Sequence, residues 1–274
     1  MTKEERLDES VFRKLRDFIY ERTGIYISDS KKYLLENRLQ RRIHEKGFKG
    51  YEDYFYFLRY NADGDEIKSL FDAVTTNETY FFREPQHFDI LFDHIFPELS
   101  SNGRYRFRVW SAGCSTGEEP YTISMLFRER YKVGGVTMEI IGTDLSETVL
   151  EAAKRGVYSS YSVRNVPESF MKKYFRQSGH SFILDDSIKR SVRFQRVNLV
   201  DEFAMKRFRN YDVIFCRNVL IYFDDKAKKK VVSHLFDALK PGGYLFIGAS
   251  ESLHNITRAF KPLVINRTVV YKRG

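Results

Sequence analysis

The chain has 274 residues, enough for one large α/β domain or for a small domain beside a medium one. With 42% hydrophobic and 30% charged residues it has an ordinary globular balance, which excludes a disordered class. The net charge of +9 suggests an anionic partner, and its distribution limits that idea. Residues 1–75 carry 15 basic and 15 acidic side chains, so the remaining 31 basic against 22 acidic residues supply the whole excess. That excess is scattered over Arg104, Arg106, Arg108, Lys172, Lys173, Arg190, Arg193 and Lys228 to Lys230. It forms no aromatic-interleaved basic strip, so no nucleic-acid partner is expected.

No apolar run approaches the roughly 18 residues that span a bilayer, so no membrane insertion is expected. The start, M-T-K-E-E-R-L-D-E-S, is charged and lacks an apolar core, so nothing suggests secretion. The two cysteines, Cys114 and Cys216, lie in apolar strand-like contexts and are too few for a zinc site. Buried thiols, no metal and a reducing cytoplasmic location are the expectation.

In chain order, Val11, Leu15, Phe18 and Ile19 recur at helical spacing, with Gly24 placed to end that helix. A second helix is expected from Ser30 as N-cap to Gly47, with Leu35, Leu39 and Ile43 as its apolar stripe. The segment Y-E-D-Y-F-Y-F-L-R-Y and then Ile67, Leu70, Phe71 and Val74 add at least two more. Residues 1–75 therefore read as an all-helical domain.

From about residue 105 strands alternate with helices. R-F-R-V-W-S-A-G, M-E-I-I-G-T-D, Y-D-V-I-F-C-R-N and P-G-G-Y-L-F-I-G are strands, and a helix is expected around residues 225–239. P-L-V-I-N-R-T-V-V-Y-K reads as two strands turning at Asn266. This alternation implies a mostly parallel sheet with helices on both faces and a terminal hairpin, hence an α/β fold over residues 76–274. Ligands bind outside the carboxyl ends of strands in such folds.

The first of those ends is W-S-A-G-C-S-T-G-E-E-P-Y, where small residues let the backbone turn tightly against a ligand. The second ends in Gly142-Thr143-Asp144, and an acid there is placed to accept hydrogen bonds from ribose hydroxyls. A helix-capping role is the alternative for Asp144. Both features point to an adenosine-bearing cofactor without separating NAD from S-adenosylmethionine. L-K-P-G-G-Y-L-F-I-G favours the latter, since it resembles the fifth strand of Rossmann-like methyltransferases. Gly113 to Gly117 also fits the G-x-S-x-G elbow of α/β-hydrolases, with Asp224 and His254 following in order. It sits on the first strand and no H-G-G-G-like segment precedes it, which disfavours a hydrolase.

Two further segments are specific: T-T-N-E-T-Y-F-F-R-E between the domains and I-F-C-R-N-V-L-I-Y-F-D at the fourth strand. With the Gly-rich turn, they closely resemble the chemotaxis receptor methyltransferases, the CheR family, over nearly the whole chain. The resemblance implies a Rossmann-like S-adenosylmethionine-dependent domain, an all-helical receptor-facing domain and a small inserted β-subdomain near residues 174–197. It implies transfer of methyl groups from S-adenosylmethionine to glutamate side chains of receptors, leaving S-adenosylhomocysteine. Asn77, Thr79 and Arg83 would reach the methionine end of the cofactor; Glu119 and Asp144 match the family's two acids. Asn198 and Leu199 would flank the adenine, and Asn218 and Val219 would line the site. Arg83, Arg217 and Tyr222 are the catalytic candidates. A carboxylate partner for Arg217 and a core role for Tyr222 are the alternatives.

The chemistry suits these residues. A glutamate with a pKa of about 4.3 is already ionised at neutral pH, so no strong base is needed. Positioning and desolvation must supply most of the acceleration. Lys31, Arg38, Arg41 and Arg42 share one side of the second helix. A solvated face is the plain reading, whereas the resemblance makes Arg38, Arg41 and Arg42 contacts for acidic receptor methylation helices. The turn at Ser178-Gly179-His180 looks shorter than in members that grip a receptor's C-terminal pentapeptide, so no tether is expected. A monomer is expected. The rival functions are a methyltransferase of RNA or a small molecule, and a non-catalytic S-adenosylmethionine-binding protein docked on receptors.

Overall fold

The chain up to Val74 folds into α1 (Glu9–Thr23), α2 (Lys32–Glu45), α3 (Tyr51–Tyr60) and α4 (Gly64–Val74). This is a computed structural model describing residues 6–101, 103, 105–131 and 135–274; the first five residues and Arg104, counted above, lie outside the described residues. Asp8 caps α1 by accepting from the Ser10 N–H. Gly24 ends it in the left-handed conformation, φ 72°, and returns its N–H to the Tyr20 carbonyl. Val11, Leu15, Phe18 and Ile19 meet Leu35, Leu39 and Ile43 in one helical core, as their spacing predicts. The expected Ser30 cap is displaced. Asp29–Lys31 forms a short 3₁₀ turn, α2 starts at Lys32, and the Ser30 hydroxyl pairs with Ser28 Oγ at 2.9 Å instead.

The second domain is built on a seven-stranded sheet. Its strands are β1 (Arg106–Ala112), β2 (Thr137–Asp144), β6 (Val192–Arg196), β7 (Tyr211–Cys216), β8 (Leu239–Ile247), β9 (Phe260–Ile265) and β10 (Thr268–Arg273). They lie in the order β6-β2-β1-β7-β8-β10-β9. The first five are parallel and the terminal hairpin is antiparallel, turning at Asn266 and Arg267, both at positive φ. The expected helix near 225–239 spans Asp225–Ala238, capped by Asp224. Strand order reverses between β1 and β7, so the ligand crevice belongs at their carboxyl ends. Cys114 and Cys216 are buried free thiols there, their pKa values pushed up by burial. Among the described residues no helix is long and apolar enough to cross a membrane.

A separate three-stranded sheet joins β3 (Val157–Tyr158), β5 (Ser181–Leu184) and β4 (Phe175–Ser178), in that order. The expected subdomain extends to residue 197. Val192–Arg196 instead runs parallel to β2 as the edge of the main sheet, while Val157–Tyr158 supplies the third small strand. Ser178 pairs with Ser181, which leaves a hairpin loop of Gly179 and His180 alone.

The two domains share a dense seam. The α1 end bridges to the second domain at Ile25 and Phe223, and the Tyr26 N–H donates to the Tyr222 carbonyl at 2.8 Å. Tyr20 donates to Asp224, Asn198 Nδ2 to the Arg22 carbonyl at 2.6 Å, and Thr148 to Asp72 at 2.6 Å. Leu145, immediately after β2, packs against the helical core.

Candidate active site

At the switch point the structure holds a cavity of about 210 Å³ walled by both domains. Thr23, Ile25 and Val74 come from the helical side, and the linker from Thr75 to Tyr80 forms another part of its lining. Asn77, Thr79, Arg83, Glu119, Asp144, Asn198, Leu199, Arg217, Asn218, Val219 and Tyr222 all line it. Arg38, Arg41 and Arg42 do not.

The Gly-rich turn is shaped by contact as well as by torsion. Gly113 has φ 77°, and a Cβ there would sit 2.4 Å from Val219 Cγ2, so only glycine lets this turn meet the loop after β7. Ser115 follows at φ 49°, a conformation costly for a non-glycine residue. Asp144 holds it: Oδ2 accepts from the Ser115 N–H at 2.9 Å and Oδ1 from the Ser146 N–H at 3.0 Å. Burial raises the Asp144 pKa while those amides oppose the rise. Each oxygen keeps a lone pair for a further donor.

Arg217 follows β7 and is buried between two carboxylates. Nη1 donates to Glu119 Oε2 at 2.8 Å, and Nη2 to Glu84 Oε2 at 3.1 Å and to the Arg83 carbonyl at 2.5 Å. The carboxylate alternative for Arg217 therefore describes most of its donors. Its Nε is different, being buried without a hydrogen-bond partner among the described residues. Glu119 Oε1 accepts from Ser111 Oγ at 2.7 Å. Burial works against the Glu84 carboxylate, but His87 and the Arg217 charge outweigh it and hold the pKa at about 2. His87 Nδ1 lies 3.2 Å from Glu84 Oε2, off the line of a good hydrogen bond.

Tyr222 is half-buried at the cavity wall, not in the core. Burial raises its pKa, against the opposing influence of Thr76, Arg83 and Arg38, so the phenol remains a donor at neutral pH. Arg83 is half-buried, donates to the Glu78 carbonyl at 2.9 Å and lies 5.7 Å from the Tyr80 ring centre. Asn77 Nδ2 donates to Thr75 Oγ1 at 3.2 Å, and its carbonyl accepts from Ser115 Oγ. The Asn198 side chain is committed to Arg22 and to the Val200 N–H, so it serves the domain seam.

The three α2 arginines separate. Arg42 is clamped by buried Glu66, with Nε and Nη2 each 2.5 Å from a carboxylate oxygen. Arg38 donates to the Val74 carbonyl at 2.5 Å and to Thr76 Oγ1 at 2.6 Å, fastening the linker. Arg41 alone is largely exposed, 86% by side chain, and pairs with Glu45 one turn on. The hydrolase candidates do not assemble: Ser115 donates to Asn77, Asp224 caps a helix and His254 is exposed.

This cavity, between a helical cap and the carboxyl ends of β1, β2 and β7, coincides with the residues matched by two family models. Residues 77–269 match the S-adenosylmethionine-binding domain of CheR methyltransferases, and residues 10–75 their all-alpha domain. The chain belongs to the CheR methyltransferase family. It is 38% identical to chemotaxis protein methyltransferase 2 of Vibrio cholerae over 93% of this chain and 89% of that one. A chemotaxis protein methyltransferase of Borreliella burgdorferi is 38% identical over 95% and 93%, and that of Escherichia coli 34% over 95% and 90%. This CheR chain thus has an S-adenosylmethionine-binding methyltransferase domain with a Rossmann-like sheet, as the sequence reading expected.

The structure also brings in residues to which the sequence alone assigns no role. Glu84 was visible as the last letter of T-T-N-E-T-Y-F-F-R-E, but its pairing with Arg217 crosses the fold. Thr76 and Leu145 line the cavity beside residues already singled out. Glu251, in the G-A-S-E-S strand end, braces the loop after β7 from behind.

Proposed function

We propose that this protein transfers methyl groups from S-adenosylmethionine to glutamate carboxylates on the cytoplasmic methylation helices of chemotaxis receptors, forming methyl esters for sensory adaptation. The observation that carries the reading is the cavity wall itself. Among the described residues a buried arginine there keeps one donor unpartnered, no histidine lines the wall, and burial keeps the lining Cys114 thiol protonated and so a poor nucleophile. An acceptor that arrives already ionised needs neither.

The residues fit the cofactor. Asp144 has free lone pairs for ribose hydroxyls, Leu145, Val197 and Leu199 offer apolar flanks for a base, and Thr79 and Arg83 offer donors for an amino-acid carboxylate. When bound, S-adenosylmethionine supplies an electrophilic methyl group on a positively charged sulfur. The chain's own residues then orient the acceptor. The Tyr222 phenol and the Arg83 guanidinium hold one carboxylate oxygen, leaving the other free to attack. The helical cap and linker exclude water, which strengthens those hydrogen bonds. Arg217, paired with Glu84 and Glu119, keeps the wall rigid.

Receptor recognition is assigned to the exposed part of α2 and not to a tether. The β4–β5 hairpin turns on Gly179 and His180 alone, and its outer strand β4 offers only the four-residue edge Phe175–Ser178 to an added peptide. The decisive assay is labelled methyl transfer to receptor-containing membranes, followed by mild alkali. Release of the label as methanol is the expected result. Alkali-stable label on RNA or on a small molecule would replace the receptor reading.

A further inference from the structure

We propose that Glu251, which lines no part of the cavity, is a positioning residue for the cofactor site. The chain leaves β7 through buried Arg217 and must turn at once. Asn218 does so at φ 57°, and Leu220–Tyr222 forms a single 3₁₀ turn. Such a turn leaves amides without ladder partners. Glu251 collects them from the end of the neighbouring strand. Its Oε2 accepts from the Asn218 N–H at 2.8 Å and the Gly248 N–H at 2.6 Å, and its Oε1 from the Ile221 N–H at 3.1 Å.

The bracing is tight. A Cβ on Gly248 would stand 2.7 Å from Asn218 Nδ2 and 2.9 Å from the Asn218 amide, so the two strand ends touch with no room between them. Asn218, Val219, Ile221 and Tyr222 all line the cavity. One carboxylate behind the wall therefore sets four residues on its inner face. Charge-assisted bonds from three amides to one carboxylate are stronger than neutral ones, and their loss leaves a left-handed Asn218 unsupported. Burial also raises the Glu251 pKa against those amides, which marks a carboxylate drawn out of water to make them.

The test uses the full-length protein and S-adenosylmethionine alone, so its outcome does not depend on the identity of the methyl acceptor. Glu251→Ala and Glu251→Gln are compared with wild type by titration calorimetry, thermal unfolding and amide hydrogen exchange. In E251A, affinity for S-adenosylmethionine is expected to fall about 10- to 100-fold, and exchange at Asn218, Ile221 and Gly248 to speed up. E251Q retains one acceptor oxygen but turns an NH₂ group toward another amide, so a loss of about 3- to 10-fold is expected. Unchanged affinity in folded E251A, whether or not its melting temperature drops, reduces Glu251 to a structural brace and overturns the proposal. If E251A fails to fold, E251Q decides alone. Weaker binding at an unchanged melting temperature supports the role, and unchanged binding overturns it.

Discussion

Arg42 and Arg217 are two arginines met by carboxylates within this fold, one in each domain, and they differ in what they leave over. Arg42 forms a two-point pair with Glu66, which also accepts from Tyr54 Oη at 2.7 Å and has Lys46 at 3.6 Å. Burial works against the Glu66 charge, but these donors prevail and keep its pKa below the ordinary value. Both Arg42 nitrogens that face Glu66 are paired with it, and the cluster locks α2 to α3 and α4. Arg217 has two carboxylates, yet its Nε is buried and bare beside a cavity. The residue type is the same in both places. A leftover donor, set at a concave surface, is what separates a working cation from a structural one.

The largest expected effect tests that distinction directly. Arg217→Met leaves Glu84 and Glu119 facing each other without a cation, an arrangement costing about 3–5 kcal/mol when a buried pair is broken. Methyl transfer should fall at least about 100-fold, since the same change strips a donor from the wall. Arg42→Met should destabilise the helical domain by a comparable amount in urea unfolding, with cofactor affinity in the folded protein held within about two-fold. Cofactor binding lost equally in both variants would erase the comparison.

Asp144 comes next. Asp144→Ala removes the acceptor for the Ser115 and Ser146 amides together with the lone pairs offered to the ribose. A loss of about 1–3 kcal/mol in S-adenosylmethionine binding is expected by calorimetry. Unchanged affinity would confine Asp144 to holding the Gly-rich turn.

Much of this was legible before any coordinates. The helical core followed from 3.6-residue periodicity, and the stop at Gly24 and the turn at Asn266 followed from local turn and cap chemistry. The Gly-rich turn after β1 and Asp144 after β2 were accessible because strand ends are where an α/β sheet exposes its chemistry, whereas Glu119, Arg217, Asn218, Val219 and Tyr222 came from the family resemblance alone. What could not be read were pairings across the chain. Glu66 and Arg42 are 24 positions apart, Glu84 and Arg217 are 133 apart, and nothing local marks either pair. The same blindness put Val192–Arg196 in the small subdomain: a short strand with exposed alternate residues looks alike in either sheet.

Acid sharpens the Arg217 side further. The Glu84 pKa is lowered from 4.5 to about 2 in the folded state, so the unfolded chain binds this proton more readily. The associated stability is fully present above about pH 4.5 and is lost as pH falls toward 2. Its scale is at most about 3 kcal/mol at neutral pH. Glu84→Gln should therefore flatten the fall in unfolding free energy between those two values. A variant whose acid limb matches wild type would show that Glu84 carries no net stabilisation from Arg217 and His87.

The smallest expected effect lies on the other arginine's helix. The obvious experiment, reversing Arg38, Arg41 and Arg42 together, would break the Glu66 clamp and the linker anchor as well as the surface charge. Its failure would say nothing about receptors. Arg41 is free of that fault, because it projects into solvent and its only partner among the described residues is Glu45 on the same helix. Arg41→Glu should leave folding and cofactor affinity unchanged while reducing receptor methylation about 3- to 10-fold at low salt, with the gap closing as salt rises. The salt dependence separates the explanations, since screening weakens attraction between an exposed cation and an acidic helix but leaves a packing defect in place. Methylation equal to wild type at both salt concentrations would make this side of α2 a solvated face and move receptor recognition elsewhere on the molecule.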